Sequence, residues 1–247
     1  MRKRKGIGVL LAVGVFAAAA VYLLVPPQRV VVGPGDDLQE AVDAVASGGT
    51  VVLEDGVYPV SQTLRITKPG ITLAAANPRA ARLEASKTFA KNPKTNKGQL
   101  IRVESPQVTI RGLALDGQFV TLLKGIDASD VDDEESASDG LLVDSCEVFH
   151  FAHHAIDIDG DDAVVRNCLI YENLWAENNV RHDVHGIVTT NAQRLTIENC
   201  TISNCSGDCV QGERGIWDNL TIRNCDLSNS PLPRDLGGLK KGTYPGE

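Results

Sequence analysis

The sequence has no excess of positive charge. Its 24 lysines and arginines are outnumbered by 32 aspartates and glutamates, for a formal net charge of −8. Four of those cations, Arg2, Lys3, Arg4 and Lys5, crowd the N-terminus, and without them the remainder carries −12. Such a surface repels phosphate backbones, which excludes nucleic acid as a partner. It suits solubility or divalent cations. Charge of either sign is missing between Gly6 and Val25, "GIGVLLAVGVFAAAAVYLLV". That stretch is long enough to cross a bilayer as a helix rising about 1.5 Å per residue. The basic cluster in front stays cytoplasmic, so the chain beyond the apolar stretch is expected outside. Residues 1–28 therefore read as a signal anchor holding the protein to a membrane, or as a signal peptide with Ala18-x-Ala20 as its small-residue cleavage site. Either way residues 29–247 are exported, and about 220 residues suffice for one domain with a large core.

Six cysteines in an exported chain can pair as disulfides, but four share a frame that suggests another role. They recur as "VDSCEV" (143–148), "VRNCLI" (165–170), "IENCTI" (197–202) and "IRNCDL" (222–227), after a cysteine-free copy "IRGLAL" at 110–115. The steps from Leu113 through the four cysteines are 33, 22, 32 and 25 residues. A constant core with variable spacing is what a solenoid with unequal loops shows. Each copy alternates apolar and polar residues, the period of a strand. The bend inside each copy holds Gly112, Ser145, Asn167, Asn199 or Asn224, and glycine and asparagine tolerate the left-handed backbone such a bend needs. The framed cysteines then read as small apolar residues stacked in a core. Cys205 and Cys209 lie off that column and are the candidate disulfide.

A second strand family precedes each copy. Aligned on its inward apolar residue it reads "LIRVE" (100–104), "KGIDAS" (124–129), "HAIDID" (154–159), "HGIVTT" (185–190) and "DCVQGE" (208–213). Each coil thus has a strand ending in a variable loop, then a strand, a bend and another strand, which only a parallel arrangement accommodates. Near the start, Asp37 and Glu40 form a capping-box pattern. Leu38, Ala41, Val42 and Val45 share one helical face, and Gly48-Gly49 stop the helix. These features predict a helix over 36–46 covering the open end of the solenoid.

The repeats and this N-terminal module (35–73) resemble the right-handed parallel β-helix of the pectate-lyase-like superfamily. The expected fold is all-β, a single-stranded right-handed parallel β-helix with a short capping helix. No strand pattern or second capping helix comes after Leu227, so a truncated end and an end covered by a partner both stay open. The fold hosts lyases, hydrolases, epimerases and inert adhesins, so activity must be argued from the site.

In the resembled family the second strand family lines the substrate cleft. With Ile126, Ile156, Ile187 and Val210 inward, three columns point outward: Lys124, His154, His185, Asp208; Asp127, Asp157, Val188, Gln211; and Ser129, Asp159, Thr190, Glu213. Asp127 and Asp157 fall on neighbouring rungs with Asp159 close by, and uncompensated carboxylates at that distance repel. No arginine neighbours them in sequence, so a hard cation such as Ca²⁺ is the expected counter-charge at Asp127, Asp157 and Asp159. The resemblance agrees, since many lyases of this fold hold a uronate carboxylate with Ca²⁺ and acidic side chains. A solvated acidic edge is the competing reading.

Lys124 is the candidate base, and His185 beside Asp208 a candidate acid–base pair. Arg181 and Arg214 are alternative cations. His154, Gln211, Glu213 and Trp175 are candidate glycan contacts. His150, His153 and His182 fall in loops and are expected to be structural. A lysine-rich stretch (86–97) and an acidic one (127–139) frame the cleft. The Asn-Thr-Asp and Arg-Ile-Lys segments of polygalacturonases are missing, which disfavours a glycoside hydrolase built on Asp159 and Glu213. The resulting expectation is a Ca²⁺-dependent lyase cleaving an acidic polysaccharide by β-elimination. The alternative is a non-catalytic glycan-binding or envelope scaffold.

Overall fold

The computed structural model describes residues 26–129, 138–177, 180–212 and 218–228. The uncharged N-terminal segment, most of the acidic stretch and the tail after Ser228 lie outside them. Among the described residues, no helix is long and apolar enough to cross a membrane.

The chain winds through three parallel sheets, of eight, six and seven strands among the described residues. One coil illustrates the path. Leu123–Ala128 lies in the six-stranded sheet, Leu142–Asp144 in the eight-stranded sheet and Glu147–Phe149 in the seven-stranded sheet, before Ile156–Ile158 begins the next coil. The register matches the sequence alignment: Ile126 pairs with Ile156, Ile156 with Ile187 and Ile187 with Val210.

The bends explain the recurring asparagine. Ser145, Asn167, Asn199 and Asn224 all have left-handed backbones, φ 53° to 60°, and Gly112 has φ 68°. A left-handed residue with a Cβ costs roughly 1–2 kcal/mol, which asparagine tolerates best after glycine. The cysteine after each bend turns inward. Cys146, Cys168 and Cys200 are buried and Cys225 is partly so. Each thiol donates to a carbonyl one coil earlier, of Ile110, Val143, Val165 and Ile197 respectively. Cys205 and Cys209 are not joined by a disulfide in the fold, which differs from the candidate bridge. Each is held by a local carbonyl instead, of Ser203 and Ile202.

The capping helix spans Leu38–Ala44, shorter than the expected 36–46. Asp37 caps it by accepting the Glu40 N–H at 3.0 Å. Ala41, Val42 and Val45 join the core, with Leu38 packed against it.

Candidate functional site

The outer face of the six-stranded sheet carries the charged residues. Inward isoleucines at 126 and 156 force the following aspartates outward, and the strands align them, with Asp127 opposite Asp157. The same register sets Arg102 opposite Asp127 on the preceding rung. Their charges meet: Lys124 Nζ lies 2.5 Å from Asp157 and 3.3 Å from Asp127, and Arg102 Nη1 lies 3.0 Å from Asp127. Ser129 Oγ adds a hydrogen bond to Asp127 at 2.6 Å. Asp127 is 2% exposed and Asp157 6%, so the ion pairs lie in a low-dielectric floor rather than on a wet surface.

The environments of the two carboxylates diverge. Burial opposes charge on Asp127, but Lys124, Arg102 and Ser129 outweigh it and hold the carboxyl below its usual range. Asp157 shares its one ammonium with Asp127. Burial first, then the charge of Asp127, overcomes the pull of Lys124 and raises Asp157 to about 6. The close ammonium alone would lower Asp157. The upward direction holds because Arg102 and Ser129 serve Asp127 and leave Asp157 the less compensated partner. Lys124 loses charge stability to burial and regains more from Asp127 and Asp157, ending above its usual value.

Two expectations bear on this geometry. Lys124 is a paired ammonium and not a free base, because both nearby carboxylates hold its proton in place. The counter-charge assigned to Ca²⁺ is supplied by Lys124 and Arg102. Asp159 accepts the Thr190 N–H at 2.7 Å, and its charge adds to that of Asp127 in raising Asp157. Among the described residues no group of three or more His, Cys, Asp or Glu side chains is placed to hold a metal. The trio Asp127, Asp157 and Asp159 therefore does not fit Ca²⁺: its best-placed oxygens already face protein cations.

Beside the ion pairs lie three imidazoles. His154 and His185 stack at 5.2 Å, and His153 meets His154 edge-on at 4.2 Å. His185 Nδ1 accepts the Asp208 backbone N–H at 2.8 Å, which puts the ring proton of a neutral His185 on Nε2. The Asp208 carboxylate lies 3.7 Å from the same nitrogen and is mostly exposed, so its backbone orients the ring. Gly207 packs so closely that a Cβ there would sit 2.6 Å from ring atoms of His185. His153 Nδ1 accepts the His154 backbone N–H. His154 Nδ1 is buried and has no hydrogen-bond partner among the described residues. Burial, then Lys124, lowers His153 to about 3. Burial, then His153 and Lys124, lowers His154 to about 2. Both are neutral rings at neutral pH.

The remaining sequence candidates scatter. Gln211 pairs in register with Val188 and leaves its Oε1 buried and unpartnered among the described residues. Trp175 stacks on His182 at 3.7 Å across a hairpin of Trp175–Glu177 and Val180–His182. One face of its indole is thus used to pin that hairpin. Glu213 and Arg214 lie outside the described residues, as does the side chain of Arg181. His150 bridges Asp116 and Glu172, both at 3.1 Å, away from this cluster. Sequence reasoning missed Arg102 and His153. Arg102 was legible, since aligning Ile101 with Ile126 sets it beside Asp127. His153 sits in a loop with no periodic signal.

Three parallel sheets wound into coils, with a polar floor on the outer face of one, define a right-handed parallel β-helix. Residues 134–226 match the family model described as a right handed beta helix region. An alginate lyase from Paenibacillus sp. str. FPU-7 superposes with a TM-score of 0.59 at 18% identity, over 80% of this chain and 65% of that one. The chain thus spans slightly under two thirds of that protein. The A-module of a mannuronan C-5 epimerase from Azotobacter vinelandii gives 0.45 at 16% identity, over 80% and 70% of the two chains. A pectin methylesterase in complex with a hexasaccharide gives 0.38 at 8% identity, over 81% and 90%. None of the curated proteins matches the sequence.

Proposed function

We propose that this is an exported, polysaccharide-active β-helix protein that cleaves an acidic, uronate-containing glycan by β-elimination. The observation that carries the reading is the pair of buried cations, Lys124 and Arg102, beside the stacked imidazoles of His154 and His185 on the outer face. The alginate lyase that shares the fold puts such a reaction within its range. Export rests on the uncharged N-terminal segment.

In this mechanism the C6 carboxylate of a uronate lies against the floor beside Lys124 and Arg102, which stay paired with Asp127 and Asp157 while their positive charge offsets the carboxylate and acidifies the C5 proton. The neutral His154 imidazole takes that proton. The C5–H electrons form the C4=C5 double bond, the C4–O bond breaks, and His185 Nε2–H protonates the leaving oxygen. Burial and Lys124 make His154 a weak base in the free protein. The bound carboxylate supplies the missing negative charge and raises its basicity. No step uses Ca²⁺.

Incubation with alginate and with polygalacturonate, monitored by ultraviolet absorbance of the unsaturated product, tests this. His154→Gln and His185→Gln should each lower the rate about 10²-fold or more. Folded wild-type protein yielding no product on any acidic glycan overturns the lyase reading. The burial of Asp127 and Asp157 favours one second reading, a glycan-binding scaffold whose ion pairs are structural. Binding without product would select it.

A further inference from the structure

Two cavities lie side by side between the capping helix and the first coils. One, about 380 Å³, runs from Gly35–Gln39 to the Tyr58–Leu64 segment. The other, about 620 Å³, includes Arg65, Lys91, Asn92 and Gln99. They share Gln39, Gln62 and Thr63 and so form one groove. Each volume falls in the range of roughly 300–1,000 Å³ usual for ligand sites. Arg65 pairs in register with Arg102, and Gln99 with Lys124, so the groove opens directly from the floor of ion pairs.

Its two halves differ in charge. The larger half holds Arg65, whose side chain is 58% exposed and pairs with Glu104 at 2.6 Å, and Lys91, whose Nζ rests on the Thr121 carbonyl at 3.0 Å. Its one acid, Asp43, accepts from the Gln39 amide. The smaller half holds the carboxylates of Asp36 and Asp37 with Ser61. Along the wall, the Gln62 and Gln99 amides make no hydrogen bond among the described residues. Amides and hydroxyls suit a polyol. Two cations suit a carboxylate, and Asp36 with Asp37 accepts from hydroxyls while repelling a second anion.

We infer that this groove extends the glycan cleft toward the capping helix and selects a mixed chain, in which a uronate on Arg65 and Lys91 is followed by a neutral sugar over Asp36 and Asp37. The inference rests on the acidic-glycan reading and narrows it from homopolymers of uronate to heteropolymers. Calorimetric titration tests it with three tetrasaccharides: alternating uronate and neutral hexose, all-uronate, and the alternating one with its carboxyls reduced. The alternating ligand should bind about tenfold more tightly than either other. Arg65→Gln with Lys91→Gln should remove that advantage over the reduced ligand. Glu104→Gln, which frees Arg65 and loosens a 3.8 Å pair with Arg102, should tighten the alternating ligand, a gain that misfolding does not produce and that Arg65→Gln in the same protein should cancel. Asp36→Asn should narrow the gap to the all-uronate ligand. If wild-type protein binds no acidic ligand, the functional reading itself falls. If acidic ligands bind but these variants leave affinity unchanged, or all-uronate binds as tightly as alternating, the groove assignment falls and the broader reading stands.

Discussion

The inner and outer faces of the six-stranded sheet are built on the same strands and obey different rules. Inside, Ile101, Ile126, Ile156 and Ile187 stack in register, all at 0% exposure. Each is interchangeable in kind, because a close-packed apolar column asks only for shape. Outside, on the same rungs, stand a cation, two carboxylates and an apolar side chain: Arg102, Asp127, Asp157 and Val188. Their energetics depends on who sits one rung away and on Lys124 reaching across from a neighbouring column. The inner column stabilises by area. The outer one is stable only as a complete set, since a lone buried charge is costly.

Removing one member is the sharpest way to break that contrast. Lys124→Met should cost about 3–5 kcal/mol, because it strands Asp157 in the buried floor. Adding Asp157→Leu should recover much of the loss. Ile156→Ala on the inner face should cost about 2–5 kcal/mol with no such rescue. Urea unfolding of the three variants gives the comparison, and a Lys124→Met protein as stable as wild type would show that the outer set is not coupled.

Acid should separate the faces next. His153 and His154 are held at about 3 and 2 in the fold, below the usual histidine value near 6.5. Between those limits the unfolded chain binds more protons, so stability falls as pH drops below about 6.5, by up to about 1.4 kcal/mol per pH unit for each ring. Asp157 works the other way. Held at about 6, it keeps its proton more tightly in the fold, so its contribution favours folding as pH falls from about 6 toward the usual carboxylate range near 4. Two rings against one carboxylate leave net acid lability. The slope of urea midpoint against pH from 6.5 to 4 should flatten in a His153→Gln, His154→Gln protein and steepen in Asp157→Asn.

The bends provide a smaller effect. Asn199 at φ 53° should lose about 1 kcal/mol on change to Ala and almost nothing on change to Gly. The smallest expected effect is that of Ca²⁺. Millimolar Ca²⁺ should leave the melting temperature unchanged, since Lys124 and Arg102 occupy the carboxylates that would bind it. A clear rise would restore the cation site and displace the ion-pair account.

The coils, the Asn bends, the inward cysteines and the capping helix were all legible, because each rests on a local rule: strand alternation, left-handed tolerance, an N-cap. The register was legible too, and with it the meeting of Asp127 and Asp157. The charge balance around them was read wrongly. Arg102 stands 25 residues before Asp127 along the chain, and a search for neighbours in sequence passes over it although it is adjacent in the coil. Trp175 was open to two uses until His182 was found against its ring.

The sequence by itself determined that this chain coils, where it bends, and which side of each strand faces in, since periodicity and backbone preference act within a few residues. Only the tertiary structure decided what the outward charges are for. Lys124, Arg102 and three histidines converge from separate coils on two aspartates, and burial there sets which groups keep a proton. That outcome depends on distance and desolvation between coils, as where Lys124 reaches Asp157 and Arg102 reaches Asp127, which no local pattern encodes.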